Sequence, residues 1–146
     1  MLSFGATPFL AVPGNNETED ALRSATAATV LHGEGDADRR LWGLGAGIPT
    51  TPWDWSFDLS EEEAAKRLQD MPAALDLLIL HSPPYGHCDV SGQGEHLGSR
   101  AIADAIEAKQ PRVAVCGHIH ESWGAESRIG ETQVINLGPE GRVIEL

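Results

Sequence analysis

Three short polar clusters carry the side chains of this sequence best suited to chemistry at a cation or a phosphate: Gly14-Asn15-Asn16-Glu17, His81-Ser82-Pro83-Pro84 and Gly117-His118-Ile119-His120. Neutral imidazole ligates zinc, iron, nickel and manganese-class ions, and an amide oxygen serves as a weaker donor. Taken alone, a His-x-His pair suits surface or hydrogen-bonded imidazoles as well as it suits a metal. The setting is more informative than the pair. Each cluster follows an apolar run of strand length, Phe9 to Val12, Leu77 to Leu80 and Val113 to Cys116, and each opens into a Gly- or Pro-containing turn. Three strand ends of one design can converge on one point, and the C-terminal ends of strands in an open α/β sheet are where ligands usually bind. Gly117 is read as the residue that lets the backbone turn sharply after the third strand.

In this order the motifs resemble those of the calcineurin-like metallophosphoesterases, whose later signatures run Gly-Asn-His-Asp/Glu, a His after a strand, and Gly-His-x-His. The resemblance extends to His81-Ser82-Pro83-Pro84-Tyr85-Gly86, His96-Leu97-Gly98-Ser99 and Cys116 to Glu121, which are similar to the Icc-related predicted phosphoesterases. It implies an α/β fold, a partial metallophosphoesterase-type β-sandwich flanked by helices in four αββα layers, forming one domain over residues 1–146. The family's first two motifs, Asp-x-His and Gly-Asp with a further Asp, would lie ahead of Gly14. The resemblance therefore implies that the N-terminal strands are missing, through a truncated gene, a mis-called start or a fragment, which leaves open whether Met1 is the natural start.

What the resemblance implies for chemistry is a pair of divalent metal ions, among Mn, Fe, Zn, Ni or Mg, that clamp the phosphate and activate a water. Asn15, His81 and His118 match ligands of one ion, and His120 matches a ligand of the other. Asn16 stands where many relatives carry a general-acid histidine; without it a factor of roughly 10²–10⁴ in rate is forfeited unless another donor serves. Catalytic residues are thus unassigned, and Asn16 and His96 are candidate substrate contacts. The implied substrate is a small phosphomonoester or phosphodiester, with diesters bearing good leaving groups favoured. The competing reading is a catalytically silent metal-binding or interaction domain of the same fold. Asp89 and Glu121 are the carboxylates that could stand in for the missing ligands. A Ser or Cys hydrolase has little support, because Ser82 precedes two prolines and no Gly-x-Ser-x-Gly occurs.

A formal charge of −12 argues against bulk nucleic-acid binding and against an anionic membrane surface. No run reaches the ~18 apolar residues of a membrane span. Residues 1–10 lack a basic start and read as the first strand, not a leader. Cys88 and Cys116 do not make a disulfide framework, and reduced thiols in a cytoplasmic setting are the simpler reading. A sheet edge or apolar face left open by missing strands would favour association into an oligomer.

The elements that must position these clusters are legible at coarse grain. Thr18 caps a helix over Glu19 to Ala28, and Ser60 with Glu63 forms a capping box for a helix ending at about Met71, its Glu61-Glu62-Glu63 run lying in solvent. A stripe from Leu97 through Ile106 predicts a third helix ending before Pro111. Thr29 to His32 and Arg39 to Leu44 suggest a hairpin across Gly33 to Asp36, and three closing strands are expected at Trp123 to Arg128, Gln133 to Leu137 and Arg142 to Glu145. Gly43 to Gly47 lacks the spacing of a dinucleotide loop. Trp42, Trp53, Trp55 and Phe57 either line a pocket or pack a long loop, Gly45 to Asp58, that is a candidate lid. Asn15, His81, His118 and His120 are expected in one cluster.

Overall fold

Val113, Ala114, Val115 and Cys116 are all buried, because their strand is covered on both faces: Ala114 and Cys116 enter a large core beneath helices, while Val113 and Val115 point the other way. That strand, β6 (Val113–Cys116), is central in a six-stranded sheet. The structure, a computed structural model, describes residues 7–146. In the sheet, β3 (Glu34–Asp36), β4 (Leu41–Leu44), β5 (Leu77–Leu80), β6, β8 (Thr132–Asn136) and β7 (Glu126–Ile129) lie side by side in that order. The inner strands β4, β5, β6 and β8 are parallel, and antiparallel β3 and β7 close the two edges. The first strand, β1 (Leu10–Ala11), pairs in parallel with β2 (Thr29–Val30) in a separate two-stranded sheet, connected through α1 (Glu19–Ala25). The part of the expected first strand within residues 1–6 lies outside the described residues.

Two helices cover one face of the large sheet. From α2 (Glu61–Leu68) come Ala64 and Leu68, and from α3 (Arg100–Lys109) come Ile102 and Ile106, packed on Trp42, Leu44, Leu78, Leu80 and Val134. The expected capping box is present, with Ser60 and Glu63 exchanging side-chain to backbone bonds. Glu61 does more than face solvent, since its carboxylate accepts from the Ser99 hydroxyl and from the amides of Arg100 and Ala101 at the start of α3. At the other end Lys109 Nζ donates to the carbonyls of Gln69 and Met71, where α2 runs out. An acid at the amide end and a cation at the carbonyl end each meet a helix terminus with the sign its dipole favours.

The opposite face is thinner. Val113, Val115 and Ile135 are buried there, whereas Leu77, Ile79, Leu137 and Ile144 are only partly covered. The small β1–β2 sheet lies against β4 on this side: a Cβ on Gly43 would come within 2.6 Å of Leu31 and 2.9 Å of Val12. Glycine is thus what allows the two sheets their close approach. The mixed α/β architecture expected from the sequence is present, with the second sheet reduced in the described residues to two short strands.

Several local expectations need correction. Helix α1 stops at Ala25, with Thr18 capping it as expected. The strand at Thr29 pairs with β1 and not with β4, and the Glu34-Gly35-Asp36 stretch read as a turn is itself the strand that pairs with β4. Alternation of apolar and polar residues marks a strand but not its partner, and Leu31 and His32 are buried under β4 instead of running along it. Helix α2 ends at Leu68, and α3 begins at Arg100, so Leu97 lies outside it and is exposed. The closing hairpin starts at Glu126, and Arg142 to Glu145 form no strand, with Val143 almost fully exposed. Cys88 and Cys116 are free, buried thiols.

His32 is buried and accepts the Gly45 amide on Nδ1 at 3.1 Å. Burial, and second the nearby Arg67 guanidinium, push its imidazole from 6.5 down to about 4. The folded group is therefore neutral where its unfolded counterpart is already charged. As pH falls from 6.5 toward about 4 the unfolded chain takes up a proton that the folded chain refuses, so stability is lost through that window. In His32→Gln, which keeps an acceptor, the loss should shrink by on the order of 2 kcal/mol. Urea unfolding at neutral and mildly acidic pH reads it, and an unchanged pH slope in the variant would acquit His32.

Candidate metal and phosphate site

The three polar clusters meet because their strands end level. Leu44 pairs with Leu80 and Ile79 with Val115, so the chain leaves β5 and β6 along one line and His81 and His118 emerge as neighbours. The backbone continues the pairing for a step, with His81 N–H donating to Leu44 and Gly117 N–H donating to His81. Asn15 arrives from the other sheet. Its carbonyl accepts the Phe57 amide, while Pro13 accepts that of Ala46, which ties the first cluster to the loop after β4. On Gly47 in that loop a Cβ would meet Asp58 Oδ1 at 2.3 Å, so glycine is what lets the Asp58 carboxylate sit there, with Asn15 Cβ at contact distance, 3.4 Å.

His81 Nε2 lies 3.0 Å from His118 Nδ1 and 3.1 Å from Asn15 Oδ1. One ring nitrogen carries at most one hydrogen and cannot satisfy two acceptors fully. Two ligands about 2.0–2.1 Å from a tetrahedral ion would stand roughly 3.3 Å apart. The observed spacings therefore fit one divalent ion shared by two imidazoles and an amide oxygen. Burial, then His118 and His120, push His81 down to about 4 against the opposing pull of Asp58, and burial likewise lowers His118. Both rings are neutral near pH 7 and keep the lone pairs that ligation needs. Among the described residues no three His, Cys, Asp or Glu side chains gather as a metal site; the third polar atom beside the two imidazoles is the Asn15 amide oxygen.

The amide is held the right way round. Asn15 Nδ2 donates to Ser56 Oγ at 3.1 Å, and Ser56 donates onward to Asp58 Oδ1 at 2.6 Å, which turns the Asn15 oxygen toward His81. Burial would raise the Asp58 carboxyl, but the Ser56 and Thr51 hydroxyls and the Thr51 amide outweigh it and hold it below the usual range. The His118 loop has its own clamp: buried Asn136 donates to the carbonyls of Gly117, Ile119 and Cys88. The sharp turn expected at Gly117 sits one residue later, since His118 itself has φ +64° while a Cβ on Gly117 would find its nearest contact at 4.0 Å. A non-glycine residue in left-handed backbone costs of order 1 kcal/mol, and such positions gather at functional sites.

These residues open into a cavity of about 490 Å³ whose walls include Asn15, Asn16, Trp53, Trp55, His81, His118 and His120. His120 is exposed and lies against Trp123, ring centroids 4.6 Å apart. It shares the cavity but not the His81 contact. His96 is not among the lining residues, although Leu97 is, and its Nδ1 donates to Asp89 at 2.7 Å. Asp89 is fully buried and also accepts the amides of Gly86 and Gly98, so it is spent on shaping its loop and is no substitute ligand. Ser82 accepts from Ile48 and donates to Ala46, a structural role. Ser56, Asp58 and Asn136 are the supports that reading the sequence missed. Only the unusual length of the 45–58 loop hinted at the first two.

Over residues 58–143 the chain matches the family described as "Metallophosphoesterase, calcineurin superfamily". The chain belongs to that family. It is 34% identical over 95 residues to metallophosphoesterase domain-containing protein 1 of Homo sapiens, covering 62% of this chain and 29% of that protein. It is also 30% identical over 146 residues to the Methanocaldococcus jannaschii protein MJ1162, covering 90% of this chain and 64% of the relative. It thus spans between about a quarter and two thirds of these relatives' lengths. The fold resembles that in the crystal structure of TT1561 of Thermus thermophilus, with a TM-score of 0.63 at 19% identity over 90% of this chain and 63% of that one.

The geometry ranks the donors. In calorimetric titrations with Mn²⁺ or Zn²⁺, His118→Ala should abolish binding, Ser56→Ala should weaken it by about 10-fold through a freed Asn15 amide, and His120→Ala should change it little. Equal losses in the two histidine variants would mean that the ligands are not divided this way.

Proposed function

We propose that this chain forms part of a metal-dependent phosphoesterase, contributing the ligand set of one divalent ion and one wall of the substrate cavity. The observation that carries the reading is that His81 Nε2 stands 3.0 Å from His118 Nδ1 and 3.1 Å from Asn15 Oδ1, all three residues lining one cavity. A bound divalent ion would supply Lewis-acid polarisation of phosphate oxygens and an activated water. His81, His118 and Asn15 would hold it; the Ser56–Asp58 chain orients the amide; and His120, lining the same cavity, is the contact for a second ion or a phosphate oxygen. Family membership supports the same reaction class.

The chain's own groups narrow the substrate. Asn16 lines the cavity. Its amide can donate a hydrogen bond to a leaving oxygen but cannot hand over a proton, so esters whose leaving groups depart unprotonated are the better substrates. His96 stands one residue from the wall, with Nδ1 committed to Asp89, and only Nε2 is available to a substituent. Glu121, exposed beside His120, is the remaining carboxylate that could complete a second ligand set.

One donor set without a bridging carboxylate should leave the 146-residue chain nearly inactive on bis-p-nitrophenyl phosphate with Mn²⁺, while Mn²⁺-dependent binding of tungstate, a phosphate mimic, persists and is lost in His118→Ala. Turnover that survives His118→Ala or thorough chelation would overturn the metal reading. Mn²⁺ binding without tungstate binding or turnover would mark instead a catalytically silent metal-binding domain.

A further inference from the structure

Trp53 and Trp55 are 52% and 59% exposed, although an indole is among the most favourable side chains to cover. They are not scattered surface residues: their rings lie 5.6 Å apart, within 17° of parallel, and both line the cavity that holds His81 and His118. Ser56, the next residue, accepts from Asn15 at 3.1 Å, and its amide donates to the Trp53 carbonyl. The aromatic surface is therefore fixed to the same amide that presents the metal donor. The rest of the wall adds Ile48, Pro49 and Leu97, and no Lys or Arg is among the described lining residues. A ligand here gains affinity from ring faces and apolar contact, not from a cationic side chain.

We propose that Trp53 and Trp55 form a stacking shelf for a planar aromatic substituent of the substrate, so that the favoured substrate is an aryl or nucleobase-bearing phosphodiester. This rests on the phosphoesterase reading for the phosphate, but not for the shelf. Stacking needs only the indoles, the fixed Ser56 anchor and space between them and the imidazoles. Aryl groups and nucleobases share that chemistry, and the test distinguishes them.

Indole fluorescence of the whole chain, freed of metal by chelation, is titrated with adenosine and with p-nitrophenol; the Mn²⁺-loaded chain is titrated calorimetrically with bis-p-nitrophenyl phosphate and with dimethyl phosphate. Both aromatic probes should quench saturably, the tighter one naming the substituent class, and Trp53→Ala/Trp55→Ala should weaken them about 10-fold, as base-to-aromatic stacking energies imply. Trp55→Phe, which keeps a ring, should retain most of the affinity. The aryl diester should bind about 10-fold more tightly than dimethyl phosphate, and the double variant should erase that preference while leaving dimethyl phosphate unchanged. Quenching by the neutral aromatics with neither diester bound would uphold the shelf and sink the phosphoesterase reading. Equal affinity for the two diesters, unaltered in the double variant, would overturn the shelf and leave that reading standing.

Discussion

The common level at which β4, β5, β6 and β8 end is the constraint on which the rest of this molecule depends. Parallel pairing aligns Leu44 with Leu80, Ile79 with Val115, and Cys116 with Asn136. The residues leaving these strands must then appear at one edge, and the first large polar side chain beyond β5, as beyond β6, is a histidine. A shift of one residue in any pair would carry the side chains of that strand to the opposite face, exchanging a full core for a half-covered one. The helix pair on one side and the Gly43 contact on the other hold the register. The placement of the imidazoles is consequently a product of packing in layers some distance from them.

Around that edge lies a ring of buried polar groups, each tying a loop by several bonds. Asn136 grips the carbonyls on both sides of His118, Asp89 gathers Gly86, Gly98 and His96, and Ser82 joins the Ala46 and Ile48 backbone. Buried polar side chains are costly unless satisfied, and here irregular backbone supplies partners to Asp89, Ser82 and the Asn136 amide nitrogen, while Asn136 Oδ1 is left without one. The exchange suits loops that leave their sheet hydrogen bonds behind yet hold His81, His118 and Asn15 in contact. His118, in left-handed backbone, is the position where such support matters most.

What was legible in the sequence and what was not divides by the range of the interaction. Apolar runs ending in Gly, Pro, Asn or His marked out β5 and β6 and pointed to Asn15, His81 and His118, which the fold brings into contact, because strand and turn preferences are local. The Thr18 and Ser60 caps were legible for the same reason. The pairing of Thr29 with Leu10 instead of with β4 depends on which strand meets which, and no period encodes that. Ser56, Asp58 and Asn136 look like ordinary loop and strand residues until the fold brings carbonyls and amides to them. Glu61 was read as a solvent residue because its partner, the start of α3, lies 38 to 40 residues away.

The outer strands of the large sheet have a consequence for how this molecule meets others. At one border β3 offers only three residues, two of them acidic, and at the other β7 carries Glu126 and Arg128, with Glu126 engaged by Arg142 and Gln133. Short, charged borders make poor templates for a further strand. A second chain attempting to extend the sheet beyond β3 would have to seat its backbone among carboxylates on a molecule that is already strongly anionic. Growth into a continuous ribbon of strands is thus discouraged at both ends of the large sheet.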